Sequence, residues 1–200
     1  MARYGFLYDQ TTCVGCNACQ MACKDKNNLE KGMFFRRVDT LETEIDGVKT
    51  WVHYSGACNH CKDPACMKAC PTGAMRFNPD KTVGHSPEKC IGCGTCTWAC
   101  PYGVPKLSHR KGISMKCNSC LDLRMQGKNP ACVDACITHA LRFVDLDALT
   151  PEELEGTTQS LPILPKPCQT DPSLRIRPKV RPADPSLSMN FAENGGPFNE

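Results

Sequence analysis

Cys13-Val14-Gly15-Cys16-Asn17-Ala18-Cys19-Gln20-Met21-Ala22-Cys23 and Cys90-Ile91-Gly92-Cys93-Gly94-Thr95-Cys96-Thr97-Trp98-Ala99-Cys100 decide how this chain is read. Both follow the spacing Cys-x2-Cys-x2-Cys-x3-Cys. That is an iron–sulfur signature, in which three thiolates on a tight loop reach one cubane and the fourth tends to ligate a neighbouring one. Working outward, Cys58-Cys61-Cys66-Cys70 and Cys117-Cys120-Cys132-Cys136 keep the first Cys-x2-Cys and the last Cys-x3-Cys around a wider middle gap. Sixteen of the seventeen cysteines thus fall into four groups of four. Four groups predict four clusters, a relay for electrons.

Two other uses of cysteine fit less well. A disulfide framework belongs to small secreted domains, whereas the segment Met1 to Asp9 lacks the charged, apolar and small-residue order of an export signal, and Cys168 is an odd cysteine, read as a free thiol. Structural zinc uses two-plus-two ligand sets with a spacer. The last group, with eleven residues between Cys120 and Cys132, could pass alone for such a site, but four thiolates packed within eleven residues could not.

Composition agrees with an inorganic core. Of 200 residues only 6% are aromatic and 40% hydrophobic with the cysteines included. Ordering the backbone costs about 1–2 kcal/mol per residue, so sparse apolar burial needs the supplement of metal ligation. The net charge of +3 counts cysteines as neutral. Ligating thiols are deprotonated, so Lys and Arg mainly offset anionic clusters. No basic stripe with interleaved aromatics points to nucleic acid, and no apolar stretch is long enough to span a membrane.

The chain repeats itself. Cys-[Val/Ile]-Gly-Cys-x2-Cys-x2-Ala-Cys recurs at Cys13 and Cys90; Cys58-Asn59 and Cys117-Asn118 open the other groups, followed by Pro64-Ala65-Cys66 and Pro130-Ala131-Cys132. Thr72-Gly73-Ala74-Met75-Arg76-Phe77 then matches Thr138-His139-Ala140-Leu141-Arg142-Phe143. A two-cluster ferredoxin unit has been doubled. Tyr4 to Tyr8, Trp51 to Tyr54, Met75 to Phe77 and Leu141 to Val144 read as short strands; Gln20-Met21-Ala22 and Thr97-Trp98-Ala99 read as helical turns. Gly15, Gly92 and Gly94 suit ligand loops.

Cys70-Pro71 and Cys100-Pro101 carry the ending typical of bacterial two-cluster runs, whereas Cys23 precedes Lys24 and Cys136 precedes Ile137. That pairs the two middle groups, although the duplication alone equally permits pairing within each half. From Pro151 onward nine prolines fall in fifty residues, which predicts an extended proline-rich C-terminal tail. Within it, Leu174 to Arg181 alternates basic and apolar residues, as a docking strand would. His60, Lys62 and Arg76 are candidates for tuning cluster potentials, and His139 lies near a ligand, but a Rieske centre is excluded because all sixteen cysteines are present. No nucleophile, general base or open metal site is apparent, so the chain is expected to catalyse no bond chemistry.

Nearly the whole chain resembles the iron–sulfur electron-transfer (beta) subunits of dimethyl sulfoxide reductase-type molybdopterin oxidoreductases. The residues that carry the resemblance are Tyr4-Gly5-Phe6 and Asp9, Ala22-Cys23-Lys24-Asp25, Phe35-Arg36-Arg37, the run Cys58 to Cys66, Cys90-Ile91-Gly92-Cys93 and Ala99-Cys100-Pro101-Tyr102-Gly103. It implies four [4Fe–4S] clusters with nested, crossed ligation: Cys13, Cys16, Cys19 and Cys136; Cys58, Cys61, Cys66 and Cys100; Cys90, Cys93, Cys96 and Cys70; Cys117, Cys120, Cys132 and Cys23. Some relatives have Trp at the position of Cys93 and a [3Fe–4S] cluster there; here cysteine is kept. The expected architecture is α+β and loop-rich: an outer ferredoxin-like lobe from 1–57 and 105–150, an inner one from 58–104, and the tail 151–200. The implied partners are a large catalytic subunit bearing bis-molybdopterin guanine dinucleotide, and a membrane anchor subunit or soluble carrier as donor, as in anaerobic respiration. With no targeting signal of its own, the chain is expected to assemble in the cytoplasm, and either to stay there or to be co-exported with a signal-bearing partner to the outer face of the cytoplasmic membrane. A free-standing polyferredoxin and a zinc-stapled interaction module are the alternatives.

Overall fold

The computed structural model describes residues 2–45, 48–179 and 190–191. The duplication sets its plan. Each compact cysteine loop enters its helix through a left-handed residue, Asn17 (φ 62°) before α1 (Ala18–Lys26) and Gly94 (φ 74°) before α3 (Thr95–Ala99). Each wider group enters through proline, Pro64 before α2 (Ala65–Lys68) and Pro130 before α5 (Ala131–Asp134), where the absent N–H costs nothing. The fourth group also carries α4 (Leu121–Arg124) after Cys120. The helices pair across the groups: α1 packs on α5, and α2 on α3.

Four small sheets frame these helices. β1 (Tyr4–Asp9) lies antiparallel to β8 (Leu141–Asp145), a long-range pairing that joins the start of the chain to the end of the fourth group. β2 (Arg37–Ile45) and β3 (Val48–Gly56) form a long antiparallel pair, with β10 (Asn190–Phe191) beside β2. β4 (Met75–Phe77) pairs with β5 (Val83–His85), and β6 (Lys106–Ser108) with β7 (Ile113–Met115). The four strands expected from the sequence are present, the one at Trp51 to Tyr54 inside the longer β3. β2, β5, β6 and β7 lie outside those four runs; β5, β6 and β7 have three residues each, too few to show a period. Mixed helix and short strand is the α+β pattern expected of two dicluster units.

Cysteine is part of the hydrophobic core. One buried cluster joins Phe6, Tyr8, Phe35, Tyr54 and Leu141 to Cys19, Cys23, Cys58, Cys117, Cys132 and Cys136; a smaller one joins Met75 and Val83 to Cys66 and Cys96. Arg124 crosses between them: it pairs with Asp80 at 2.6 Å, hydrogen-bonds the Ser119 carbonyl and lies over the Phe143 ring.

The region after Pro151 departs from expectation. Through residue 179 it is folded onto the rest rather than extended away from it. α6 (Pro151–Leu154) starts with a capping box on Thr150 and Glu153. β9 (Leu174–Arg177) adds parallel to the free edge of β1, giving the order β8-β1-β9. The alternation is real, but its apolar face turns inward: Leu174 and Ile176 are buried in the main core. The carbonyls of Asp171 and Thr170 accept from the amides of Lys62 and Asp63, and Ser173 donates its amide to Asn59, so the segment also clamps the second cysteine loop. A free edge on β1 and an apolar stripe of matching period account for the docking. The expected residues Val180 and Arg181 lie outside the described residues.

Removing residues from Pro162 onward should therefore cost iron, not only partner contacts. Burying a side chain such as Leu174 or Ile176 is worth about 1.5–3 kcal/mol, and two of them approach the whole stability of a marginal domain. Iron per chain in the truncated protein, purified anaerobically, should fall well below that of the full chain. A full complement would mean that β9 is dispensable to the lobes.

Candidate metal centres

Each group contributes its first three cysteines from a loop and the turn of helix after it. Cys136 lines the same cavity as Cys13, Cys16 and Cys19, with Tyr8 and Thr138 at its wall. Cys23, one turn beyond Cys19 on α1, instead faces Cys132, Cys120 and Cys117: burial and then repulsion from Cys132 push its thiol up to about 12. In the other pair, Cys100 is felt by Cys61 and Cys66, both raised to about 12 by burial and by neighbouring thiolates. Cys70 is felt by Cys93 and Cys96.

Burial is graded across these groups. Cys117, Cys120, Cys132 and Cys23 are all buried, whereas Cys16 and Cys93 are exposed. The Cys93 thiol is held below its usual range by the Thr95 hydroxyl, 3.3 Å away, and Cys70 is lowered by the Met75 amide and the Thr72 hydroxyl, which outweigh its burial. Among the described residues no three His, Cys, Asp or Glu side chains gather tightly enough to hold a single ion. Ligands of one zinc would lie about 2.3 Å from a common centre, while a cubane holds its four ligand sulfurs further apart.

Two buried cations complete the setting. Arg36 is 2% exposed, and its Nη1 donates to the carbonyl and hydroxyl of Ser55, at 2.9 Å each. Its guanidinium lies 4.4 Å from the Phe6 ring centre, and its Nε and Nη2 have no hydrogen-bond partner among the described residues. Burial would discharge it, but the sulfurs of Cys132, Cys19, Cys117 and Cys23 hold it charged. Lys116 is likewise buried. Buried cations and buried thiols, each costly alone, fit an anionic iron–sulfur group between them.

The residues expected to tune the clusters fare differently. His60 is fully buried, its Nδ1 accepting from the Val83 amide, and burial with Lys116 nearby keeps it neutral. Lys62, Arg76 and His139 are exposed. Sequence reasoning passed over Arg36 and Lys116. Lys116 had a visible signal, since the duplicated position before Cys58 is Ala57; Arg36 had none beyond its place in Phe35-Arg36-Arg37. Cys168 is exposed.

Comparison with known proteins agrees with this chemistry. The 4Fe-4S dicluster domain is matched twice, over residues 49–146 and 12–74. The sequence is 41% identical over 187 residues to the B subunit of the anaerobic dimethyl sulfoxide reductase of Haemophilus influenzae, covering 89% of this chain and 90% of that one. It is 39% identical over 186 residues to the corresponding subunit of Escherichia coli, with the same coverage. It is also 36% identical over 159 residues to the iron-sulfur subunit of the nitrate-inducible formate dehydrogenase of Escherichia coli, covering 71% of this chain and 54% of that one.

The ligand loops are crowded from behind, which gives a test. Gly92 has φ +70°, and a Cβ there would meet the Gly112 carbonyl, a backbone atom of the turn between β6 and β7. Gly15 has φ +67° but faces the His53 ring, which can move. Both Gly→Ala changes carry about 1–2 kcal/mol of left-handed strain. Gly92→Ala adds a clash that only backbone movement relieves, so it should lose about four irons per chain, the content of one cubane, while Gly15→Ala keeps most of its complement. Equal iron in the two variants would show that the backbone contact does not shape the loop.

Proposed function

We propose, because this protein belongs to the family of iron–sulfur B subunits of dimethyl sulfoxide reductase-type oxidoreductases, that it carries four [4Fe–4S] clusters and relays electrons within such a complex without catalysing a reaction itself. Electron transfer through bound iron–sulfur clusters is the family's chemistry. What supports the reading for this chain is that Cys136 lines one cavity with Cys13, Cys16 and Cys19, and that Cys100, Cys70 and Cys23 lie within electrostatic reach of the loops of their partner groups. The sets are then Cys13, Cys16, Cys19 with Cys136; Cys58, Cys61, Cys66 with Cys100; Cys90, Cys93, Cys96 with Cys70; and Cys117, Cys120, Cys132 with Cys23. The first and last sets make the outer lobe, 1–57 with 105–150; the middle two make the inner lobe, 58–104. When bound, the clusters supply one-electron reduction and oxidation. The protein's residues hold them in place, exclude water from the deeper sets and offset their charge through Arg36 and Lys116.

Neighbouring contacts suggest an order. Repulsion from Cys58 reaches Cys117, so the fourth and second loops adjoin. The first and third loops then lie at opposite ends, where apolar side chains are left in solvent: Val14 and Ile137 by the first, Ile91 and Trp98 by the third. Trp98 is 83% exposed. Bare apolar collars around terminal cysteine loops favour docking at both ends over a freely diffusing carrier. One end would meet a large catalytic subunit bearing bis-molybdopterin guanine dinucleotide. The other would meet a membrane anchor or soluble donor, since no described helix could itself cross a membrane. Assembly in the cytoplasm, with or without later export beside the partner, goes with that arrangement.

Anaerobically purified protein should contain about sixteen iron and sixteen sulfide with brown charge-transfer absorption. Zinc in their place would end the electron-relay reading. The crossing is tested separately: Cys100→Ser should alter the EPR signal of the cluster built on Cys58, Cys61 and Cys66 and leave that of Cys90, Cys93 and Cys96 intact, whereas uncrossed ligation would give the opposite.

A further inference from the structure

Lys116 is a buried cation whose counter-charge is not a carboxylate. Among the described residues it takes part in no ion pair. Its three N–H bonds are accounted for: Nζ donates to the carbonyl of Val83, to the carbonyl of Cys117 at 2.9 Å and to Sγ of Cys58 at 3.5 Å. The two carbonyls fix where the ammonium sits. The sulfur is what it faces, and the thiols of Cys66 and Cys100 also lie within its field. Lys116 is not among the main influences on Cys93 or Cys96 of the third loop; for Cys96 these are burial, Ser114, Cys70 and Cys90. The residue belongs to the segment leading from β7 into the fourth cysteine group, so the cation is delivered to the second group from another part of the chain.

We propose that Lys116 is the positioning residue that sets the potential of the cluster built on Cys58, Cys61 and Cys66, contributing a fixed positive charge from the fourth cysteine group's segment across the junction between the lobes. An uncompensated negative charge on a buried cluster opposes the arrival of another electron; a fixed ammonium at one ligand sulfur eases it and raises the potential. The charge is placed by Val83 of the inner lobe and Cys117 of the outer, so the potential of this one cluster depends on how the lobes are docked. The same hydrogen bonds tie the second and fourth loops, the adjoining pair in the order above. The inference rests on the reading of the four groups as cluster ligands.

The test is a redox titration of the full chain with its clusters, purified anaerobically and followed by EPR, with Lys116→Met and Lys116→Arg beside the parent. The signal of the second loop is identified as the one altered by Cys61→Ser. Lys116→Met should shift that midpoint potential downward and leave the other three in place, and Lys116→Arg should restore it toward the parent value. No shift, or an equal shift of all four, overturns the assignment. If Lys116→Met loses this cluster while Lys116→Arg keeps all four, the charge is still what the site requires; if both variants lose it, Lys116 is a packing element and the inference fails. Parent protein lacking iron would instead dispose of the cluster reading itself.

Discussion

Negative charge confined to a small, mostly buried interior is the constraint from which the rest of this structure follows. Thiols such as Cys23, Cys61 and Cys66 are pushed up to about 12 by burial and by one another, so without a cationic partner they would remain protonated. Isolated buried charges cost several kcal/mol each even after relaxation. The protein meets that cost with iron–thiolate ligation and with Arg36 and Lys116, neither of which has a carboxylate partner among the described residues. Where the sulfurs approach solvent, as at Cys93, a threonine hydroxyl and backbone amides take over.

That constraint also explains how such short elements persist. The strand pairs β4–β5 and β6–β7 have three residues per strand, and α2 and α5 have four, lengths that would not hold in isolation. Each is braced against a ligand loop. The turn between β6 and β7 presses on Gly92, and Val83 of β5 receives Lys116. The dicluster unit is therefore a set of braces around sulfur more than a sheet-and-helix sandwich. β9 serves the same end, joining β1 through a parallel ladder while its leading residues hold the amides of Lys62 and Asp63.

The dicluster character, the duplication and the four aromatic or β-branched strands were legible because they depend on local spacing and residue type. The clasp by 170–177 was half legible: the alternation at Leu174 to Arg177 was visible, but not whether its apolar face would meet a partner or β1, because that depends on an edge more than 160 residues earlier in the chain. His60 could be named a tuning candidate from its place between ligands, but its full burial and its backbone at φ 44° could not be read from the sequence. Arg36 was invisible in role because nothing in Phe35-Arg36-Arg37 tells which of two adjacent arginines is buried, and arginine is most often a surface residue. Only its seat between Ser55 and Phe6, set by the β3 pairing and β1, turns it inward.

The duplication preserved the cysteines and the helix entries but not the charges. At the position preceding the second group stands Ala57, and at its counterpart stands Lys116. Equivalent residues face different surroundings: the segment before Cys58 arrives from β3, which pairs with β2, whereas the segment before Cys117 arrives from β7, which pairs with β6. Lys116 reaches Cys58 and Val83. Duplicated cysteine groups therefore need not have identical electrochemistry, and the divergence of the two halves is best sought in the buried cations as well as in the cysteine spacing.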